Sequence, residues 1–378
     1  MRLYEYEAKA IFKRQGISVP EGFVTDGKGY DKPDFKKEFV VKSQVLIGAR
    51  GKAGGIKFAK NDEELRNAVS LLIGKDIRGL KVKKLLVEEK LNIEKEFYAG
   101  VIFNRSSGKI VVIFSTKGGM EIEEVAKTDP SAILKKEVDI SDGFSEKEAE
   151  DFVSGAGISD KLLKPVSQTV KKLYDTFVLY DAEIVEINPL VVTKQSEVLA
   201  CDARMSIYDD AIPKQMKIIP EILNREDDTL TPLEKEARTH GLGYIEMDGS
   251  VGVIGNGAGL NLTTLDMLQY VGLKPANFLE VSGRTYDRAE AGLRIILKNP
   301  NVKVVFGNFF GCISRCDVIA IGLAEAVKKG VLPKDIPMVI AMRGNGGAEG
   351  SETLKNAGIE VFEDDETAVK RITEILKQ

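Results

Sequence analysis

Residues 39–58 have the sequence FVVKSQVLIGARGKAGGIKF, an apolar strand followed by a loop of small and basic residues. The β-branched residues before Lys42 are typical of a buried strand, so this lysine has a rigid base. Arg50 and Lys52 add positive charge to the loop, and its glycines let the backbone approach a bulky anion without a Cβ in the way. The stretch therefore predicts a clamp for a polyphosphate.

The glycine loop matches neither of the two standard phosphate motifs. It lacks the GxxxxGK[ST] spacing of a P-loop, and it lacks the GxGxxG order that opens a dinucleotide-binding helix. For the loop alone, the alternative is a basic hairpin on a solvated surface. The choice between the two depends on acidic residues elsewhere in the chain.

The composition excludes several classes of protein. A chain of 378 residues exceeds what one core usually serves, which predicts two or three domains. A net charge of -4 and a pI near 5.5 give no electrostatic reason to expect nucleic acid as a partner. The charged N-terminus and the lack of any run of about eighteen apolar residues predict a cytoplasmic protein without a membrane span. Three cysteines are too few for a disulfide framework and are expected to be reduced, namely Cys201, Cys312 and Cys316.

The sequence pattern changes near residue 240. Before this point it predicts a mixed α+β region. Its expected helices lie near 4–15, 62–73 (capped by Asp62), 145–154 and 159–175, and its expected strands lie near 39–42, 84–88, 96–104, 109–115, 183–187, 190–193 and 198–202. From residue 251 onward, five apolar strands alternate with helical patterns and predict a doubly wound parallel sheet. The polar segment 203–240 is the expected passage between the two regions.

Acidic and amide side chains occur at the ends of several predicted strands. Glu88 ends one apolar strand and Glu96 begins the next, positions that suit contacts with the base and ribose of a nucleotide. Glu186, Asn188 and Asp202 lie on adjoining strands that turn back through a proline, so their oxygen atoms can converge as ligands for Mg²⁺. Each acid taken alone is more simply a solvated surface carboxylate. Beside the basic glycine loop, the set makes sense if Mg²⁺ joins it to a triphosphate.

Four separated motifs occur in the order VVKSQVLIGARGKAGG, EINPLVVT, VIGNGAGLNLTTLD and NFFGCISRCD. Together they resemble the β-subunit family of the succinyl-CoA synthetases, and the resemblance extends from the MRLYEYEAK opening to the last helix. It implies an ATP-grasp domain over about residues 1–235 and a flavodoxin-like, doubly wound parallel-sheet ligase domain over about 240–378. Pro20 resembles the ADP-forming type more than the GDP-forming type.

The resemblance also assigns roles to individual residues. It implies Mg²⁺ ligands at Asn188 and Asp202, and a catalytic role for Glu186 in steadying a phosphohistidine. The nucleotide contacts that it implies are Lys42, Ala49, Arg50, Gly51, Glu88, Leu91 and Glu96. The contacts that it implies for the acid substrate and the phosphohistidine are Asn256, Cys312, Ile313 and Ser314.

The motif NFFGCISRCD also has a physical reading of its own. The preceding strand ends and a helix is expected to begin at about 312–314, where free backbone N–H groups and the helix dipole favour phosphate. The alternative is that GNGAG and FGCIS are only the tight turns that any doubly wound sheet requires. Without the family resemblance, this alternative would be preferred.

The family resemblance implies a two-subunit enzyme. The phosphorylated histidine and most of the CoA site belong to a partner α subunit, and the implied reaction converts succinate, CoA and ATP to succinyl-CoA, ADP and phosphate. The only histidine of this chain, His240, lies outside every motif and is expected to be a bystander.

The sequence departs from the family pattern near the expected acid site. Arg284 occurs where a glycine-rich run is usual, and Ala341 occurs where an arginine is usual, with Arg343 nearby. Two displaced arginines could bind another carboxylate bidentately, such as malate or citrate. A noncatalytic nucleotide-binding scaffold is a second interpretation of the chain, and an ATP-grasp amide ligase that works alone is a third.

Overall fold

The computed structural model describes residues 1–29, 38–48, 50–223, 230–281 and 287–377. The chain divides into two compact units, residues 1–226 and 227–378. Ala49 and Arg284, which the sequence singles out, lie outside the described residues.

The first unit combines helices with antiparallel sheets. Its helices are α1 (Glu5–Arg14), α2 (Asp62–Leu72), α3 (Ile122–Thr128), α4 (Glu146–Ser154), α5 (Asp160–Leu179), α6 (Ile212–Gln215) and α7 (Pro220–Leu223), with 3-10 turns at Pro130–Ala132 and Asp209–Ala211. Its strands are β1 (Gly22–Thr25), β2 (Phe39–Gln44), β3 (Ile56–Ala59), β4 (Asp76–Ile77), β5 (Leu80–Lys81), β6 (Lys84–Glu89), β7 (Ile93–Asn104), β8 (Lys109–Ser115), β9 (Ile133–Val138), β10 (Ala182–Thr193), β11 (Val198–Ala200) and β12 (Arg204–Ile207).

A four-stranded sheet with the order β1-β6-β2-β3 carries the lysine strand. Successive side chains on a strand point to opposite faces. Phe39 and Val41 therefore pack with α2 in one apolar core. Lys42 and Gln44 point to the other face, where both contact Glu5 at the start of α1. This alternation is what gives Lys42 its rigid base.

A six-stranded sheet has the order β11-β10-β7-β8-β9, and β12 also pairs with β10. The sequence predicts two strands at 183–187 and 190–193, but the structure forms the single strand β10 with an irregular register between Ile187 and Leu190. The peptide bond between Asn188 and Pro189 within this irregularity is cis. Because β11 and β12 pair with successive parts of β10, their connection at 201–203 faces this irregularity.

Two local expectations for the first unit are wrong. Asn61, not Asp62, caps α2, since its side chain accepts a hydrogen bond of 2.9 Å from the backbone N–H of Glu64. The polar segment 203–240 is not merely a passage, because it forms β12, α6 and α7 of the first unit and then the helix Pro232–Thr239 of the second. Apolar residues within it, such as Met205 and Ile219, belong to the first unit's core.

The second unit is the expected doubly wound fold. Its elements are α8 (Pro232–Thr239), β13 (Gly243–Glu246), β14 (Val251–Gly255), α9 (Ala258–Tyr270), β15 (Asn277–Glu280), α10 (Asp287–Lys298), β16 (Val304–Gly311), α11 (Cys316–Lys328), β17 (Met338–Gly344), α12 (Gly347–Asn356), β18 (Glu360–Phe362) and α13 (Asp365–Lys377). The strand order is β13-β15-β14-β16-β17-β18. Five of these strands are parallel, as predicted, whereas the edge strand β13 runs antiparallel to β15 and was not anticipated.

Both faces of the parallel sheet are covered by helices. Val305 and Ile340 share one apolar core with residues of α10 and α11, and Phe306 and Val339 share another with residues of α9 and α13. This arrangement is typical of parallel sheets. It confirms the fold class that the alternating strand and helix pattern predicts.

We expect Asn277 to be essential to the centre of this sheet. Its fully buried amide accepts a 3.1 Å hydrogen bond from the N–H of Val253 and donates a 2.7 Å bond to the same residue's carbonyl oxygen. Asn277→Val should lower the free energy of unfolding by about 2–5 kcal/mol, because two buried backbone groups lose their partners. Urea unfolding followed by circular dichroism measures this loss, and the exposed Asn301→Val is the control. Equal effects of the two variants would contradict the assignment.

Candidate functional site

Lys42 and Glu88 meet on neighbouring antiparallel strands. Val40 of β2 lies opposite Glu88 of β6, so Lys42, two residues further along, is the diagonal neighbour of Glu88 on the same face. The Nζ atom of Lys42 lies 2.8 Å from Oε2 of Glu88. The two residues are only 6% and 2% exposed. Strand pairing therefore brings together a predicted phosphate contact and a predicted nucleoside contact.

Helix α1 contributes two further charged residues, Glu5 and Lys9, which are one turn apart. Oε1 of Glu5 lies 2.9 Å from Nζ of Lys9 and 2.9 Å from Nζ of Lys42. Nζ of Lys9 lies 2.5 Å from Oε1 of Glu88. The carbonyl oxygen of Cys201 accepts hydrogen bonds from both lysines. Sequence reasoning missed this pair, although acidic and basic residues four apart on a helix are a recognisable signal.

Arg50 extends this network from the glycine loop to the connection between β11 and β12. Its Nη2 atom lies 2.5 Å from Oε2 of Glu5 and 2.8 Å from Oδ1 of Asp202. We call the whole set the ionic cluster; its members are Glu5, Lys9, Lys42, Arg50, Glu88 and Asp202. Its three positive charges balance its three negative charges. Arg50 is only 8% exposed and is therefore not a solvated surface charge, whereas the Lys52 side chain of the same loop is 68% exposed.

At the centre of the ionic cluster, charge pairing affects the pKa values more than burial does. Burial by itself disfavours the charged form of Glu5, but the nearby charges of Arg50, Lys42 and Lys9 hold its pKa well below the ordinary value. Burial likewise opposes protonation of Lys42, yet Glu5 and Glu88 raise the pKa of this lysine well above the ordinary value. Both groups are therefore charged at neutral pH.

The glycine loop has a defined conformation. The N–H of Gly55 donates to the carbonyl oxygen of Arg50 at 2.9 Å, and the N–H of Gly54 donates to that of Gly51 at 3.0 Å. Lys75 donates a 2.8 Å hydrogen bond to the carbonyl oxygen of Gly54. A Cβ on Gly55 would lie 3.0 Å from the Arg50 oxygen, closer than ordinary packing allows. The loop is thus folded tightly around its arginine.

A cleft of about 780 Å³ lies beside the ionic cluster. Its lining includes Glu5, Arg50, Gly51, Glu186, Asn188 and Asp202. The structure therefore brings five of the predicted phosphate, metal and catalytic residues to one cleft, namely Arg50, Gly51, Glu186, Asn188 and Asp202. Lys42 and Glu88 do not line the cleft. Lys42 contacts Glu5, which does line it, and Glu88 contacts Lys42.

Glu186 occupies a half-enclosed position on β10. It lies opposite Arg204 of β12, whose Nη1 atom is 3.6 Å from Oε2 of Glu186. The hydroxyl group of Tyr98 also bonds to its carboxylate. Burial raises the pKa of Glu186 above the ordinary value, and the charge of Arg204 opposes this shift. The carboxylate forms part of the cleft wall.

The segment 117–121, of which Gly119, Met120 and Glu121 line the cleft, was not anticipated from the sequence. Oδ1 of Asn188 accepts a 2.9 Å hydrogen bond from the N–H of Gly119, and Nδ2 donates a 2.7 Å bond to the carbonyl oxygen of Met120. Gly119 has a φ of 72°, and a Cβ there would lie 2.6 Å from Oε2 of Glu96. The glycine pair in this segment was the available signal. Glu96 and Asn188 are thus linked through one short segment.

The predicted nucleoside contacts are distributed over two sheets. Glu88 is on β6 of the four-stranded sheet, whereas the exposed Glu96 is on β7 of the six-stranded sheet. Leu91 is half-buried in the connection between these strands. Their joint role in binding a nucleoside stays a prediction.

In the second unit, Asn256 joins the ends of two parallel strands. Its Nδ2 atom donates a 2.8 Å hydrogen bond to the carbonyl oxygen of Phe310, and its Oδ1 atom accepts a 2.9 Å bond from the N–H of the same residue. The amide thus fixes the end of β14 beside β16. Contact with an acid substrate stays a prediction for this residue.

The expected helix start at 312–314 is wrong, because α11 begins at Cys316. The N–H of Cys316 donates to the carbonyl oxygen of Asn345 at 3.0 Å, and Arg315 before it has an extended backbone. These features keep residues 312–315 in a turn ahead of the helix. Cys312 is exposed and Ile313 is 97% exposed, so the turn projects from the fold, and Ser314 is half-buried.

Two more residues of the second unit have defined surroundings. Arg343, which the sequence suggests as a carboxylate contact, bonds within the protein, with Nη2 lying 2.7 Å from Oδ2 of Asp365 and Nη1 donating to Asn308 at 3.3 Å. His240 is exposed at the end of α8. No helix in the described part of the chain is both long enough and apolar enough to cross a membrane.

Comparisons with known proteins identify the family of both regions of the chain. An ATP-grasp domain family matches residues 2–192, and a CoA-ligase family matches residues 254–374. The ADP-forming succinate–CoA ligase subunit β of Ignicoccus hospitalis is 40% identical over 381 residues, covering 100% of both chains. The chain belongs to the family of succinate–CoA ligase β subunits. The GDP-forming subunit β of Thermus thermophilus is also 40% identical, over 98% of each chain.

Solved structures show the same fold at lower sequence identity. ATP citrate lyase from Methanothrix soehngenii aligns with a TM-score of 0.79 at 18% identity, covering 100% of this chain and 99% of that chain. At this identity the similarity concerns the fold alone. The succinate–CoA ligase β-subunit family is a ligase family, and its matches do not favour malate or citrate as the acid, or a scaffold without activity.

We expect Glu5→Gln to destabilise the protein in a pH-dependent way. Near pH 7 the variant should lose about 3–5 kcal/mol of unfolding free energy, because buried cations lose their central anion. Folding lowers the pKa of Glu5 below its unfolded value of 4.5. The contribution of Glu5 to the free energy of unfolding is therefore fully present above pH 4.5 and is lost as the pH falls through the lower pKa of the folded state. Urea unfolding near neutral and acid pH should therefore show the difference from the unsubstituted protein becoming smaller in acid.

The exposed Glu121→Gln provides the matched control for this prediction. Glu121 pairs with Lys52 at 2.8 Å, but both side chains are more than half exposed. Solvent weakens such a pair, so little change in stability is expected. A Glu5→Gln effect that is no larger than the control, or that is independent of pH, would argue against the ionic cluster as described.

Proposed function

We propose that this chain is the nucleotide-binding β subunit of a succinate–CoA ligase, with Mg·ATP or Mg·ADP bound in the cleft of the first unit. The observation that carries the proposal is the position of two buried cations, Lys42 and Arg50, in a network that reaches a cleft lined by Glu186, Asn188 and Asp202. Relatives of 35–40% identity named succinate–CoA ligase subunit β support it. In this proposal the ATP-grasp domain covers about 1–235 and the ligase domain about 240–378.

In this proposal the protein orients the nucleotide by binding it at two places, the phosphates and the nucleoside. Lys42, Arg50 and the backbone at 49–51 bind the phosphates, since buried cations and glycine N–H groups suit polyphosphate. The proposed contacts with the nucleoside are Glu88, Leu91 and Glu96. A phosphate oxygen would take the place of the Glu5 and Glu88 carboxylates as the partner of Lys42.

Asn188 and Asp202 suit a magnesium ion. In proteins Mg²⁺ keeps several waters and uses one or two carboxylates together with substrate phosphates. Among the described residues there is no cluster of three or more His, Cys, Asp or Glu side chains that could hold a metal on its own. One carboxylate and one amide facing the same cleft, with the Asp202 side chain 41% exposed, fit this sparse ligand set. When bound, Mg²⁺ neutralises charge on the transferred phosphoryl group.

A partner α subunit supplies the nucleophile in the proposed reaction. The bond between the γ-phosphorus and its bridging oxygen breaks, releasing ADP, and a bond from phosphorus to a partner histidine nitrogen forms. The phosphoryl group then passes to a carboxylate oxygen of succinate. The thiol of CoA attacks this acyl phosphate, giving succinyl-CoA and phosphate. Glu186 and the turn at 312–314 are the proposed contacts of the phosphohistidine in this chain.

We also propose that the enzyme acts in the cytoplasm. Its three cysteines, Cys201, Cys312 and Cys316, are free thiols, which suits a reducing compartment.

We expect Asp202→Asn to raise the Mg²⁺ concentration that gives half-maximal activity by about tenfold or more, because the neutral amide is a weaker ligand for a hard cation. Titration of the assembled enzyme with Mg²⁺ at saturating ATP measures this shift. The exposed Asp151→Asn on α4 is the control. If the titration of Asp202→Asn matches that of the unsubstituted enzyme, Asp202 is not a ligand.

The two-subunit proposal is tested with ATP labelled at the γ-phosphate. We expect no stable label on this chain alone, whereas addition of an α subunit should give acid-labile, base-stable label on that partner, as phosphohistidine requires. His240→Asn should leave the labelling unchanged. Labelling of His240 in the isolated chain, or CoA ligation without a partner, would refute the proposal.

A further inference from the structure

Lys9 is a buried cation that the proposed nucleotide contacts do not include. It is 4% exposed, and its Nζ atom lies 2.5 Å from Glu88, 2.9 Å from Glu5 and 2.8 Å from the carbonyl oxygen of Cys201. It does not line the cleft. Its three contacts are therefore with protein groups, and its role must act through them.

The contacts of Lys9 duplicate those of Lys42. Each lysine contacts Glu5, Glu88 and the carbonyl oxygen of Cys201. Oε1 of Glu88 contacts Lys9 and Oε2 contacts Lys42, so the two cations share one carboxylate from opposite sides. Arg50 contacts Glu5 and Asp202. The cluster thus holds two cations around the same two buried acids.

This duplication matters when Lys42 binds a phosphate. A lysine that turns toward an incoming anion weakens its hold on its protein partners, and an uncompensated buried carboxylate is strongly unfavourable. Because Lys9 contacts both Glu5 and Glu88, each acid keeps a cation when Lys42 is engaged elsewhere. Without Lys9, the release of Lys42 would strand a negative charge on Glu88.

We propose that Lys9 is a positioning residue of the nucleotide site, a permanent counter-cation for Glu5 and Glu88 that frees Lys42 to bind phosphate. The inference rests on the proposed function, in which Lys42 contacts the phosphates and Glu88 the nucleoside. It adds a residue from α1, outside the strand and loop that carry the clamp. It also explains why an acidic and a basic side chain on the first helix are both buried.

The test uses two probes, Mg·ADP and Mg²⁺ with inorganic tripolyphosphate, which has no nucleoside. Lys9→Met should raise the Kd of tripolyphosphate at least about tenfold, because Lys42 is then held by two buried acids that have no other lysine. Lys9→Arg, which keeps the charge, should bind it nearly as the unsubstituted chain does. Lys13→Met, an exposed lysine on the same helix, is the matched control and should not change binding.

A compensating substitution separates positioning from a purely structural effect. In Lys9→Met/Glu88→Gln the charge of the cluster is balanced again, so tripolyphosphate binding should recover. Binding of ADP should remain weak, because the Glu88 contact with the nucleoside is lost. Thermal unfolding of each variant shows whether it is folded. If the role of Lys9 were purely structural, a double variant that regains stability would regain the binding of tripolyphosphate and of ADP alike.

The outcomes distinguish this inference from the proposed function. If the unsubstituted chain binds neither ADP nor tripolyphosphate, the proposed function fails. If it binds both, but Lys9→Met leaves the Kd of tripolyphosphate unchanged or the double variant does not recover, the role of Lys9 is refuted. If Lys9→Met does not fold, Lys9→Gln takes its place, because it removes the charge while keeping a hydrogen-bond donor. The tripolyphosphate Kd of Lys9→Gln and the recovery of binding in Lys9→Gln/Glu88→Gln then decide.

Discussion

Six charged side chains converge where α1, β2, β6, the glycine loop and the connection between β11 and β12 meet, and the first unit is organised around their mutual pairing. Taking such groups out of water is costly, and good geometry with balanced charge is needed to offset that cost. Glu5 bonds with Lys9, Lys42 and Arg50, which come from three different segments. The cluster therefore fixes the first helix, the lysine strand and the arginine loop relative to one another.

This constraint has a direct consequence for binding. Lys42 and Arg50 are already ordered by protein carboxylates, so an incoming polyphosphate in the proposed function exchanges one set of anions for another instead of ordering mobile side chains. Such preorganisation lowers the entropy cost of binding. Gly119 and Met120 also line the cleft, and the Asn188 amide bonds to both. The cleft is thus bounded by backbone and side chains that are themselves held in place.

The second unit uses a different principle, in which the order of parallel strands positions the turns that carry the predicted contacts at Asn256 and 312–314. With β14 and β16 adjacent, the turns after both strands lie at the same edge of the sheet, and the amide of Asn256 joins them through Phe310. The turn after β16 is also bonded to the turn after β17, since the N–H of Asn345 donates to Gly311 and its carbonyl oxygen accepts from Cys316. This connection explains why α11 begins later than its sequence indicates.

The sequence alone determined the features that depend on local periodicity and local chemistry. The β-branched residues before Lys42 placed it on a buried strand, and repeated strand and helix patterns after residue 251 predicted the parallel sheet. Four motifs indicated the family and its site residues. Tertiary structure decided the rest, because packing brings together residues that are distant in sequence: Glu5 and Lys9 at the cluster, β13 on the sheet edge, and Asn345 against the start of α11. Helix periodicity can place Glu5 and Lys9 on one face, but only packing against β2 and β6 makes that face a buried ionic one.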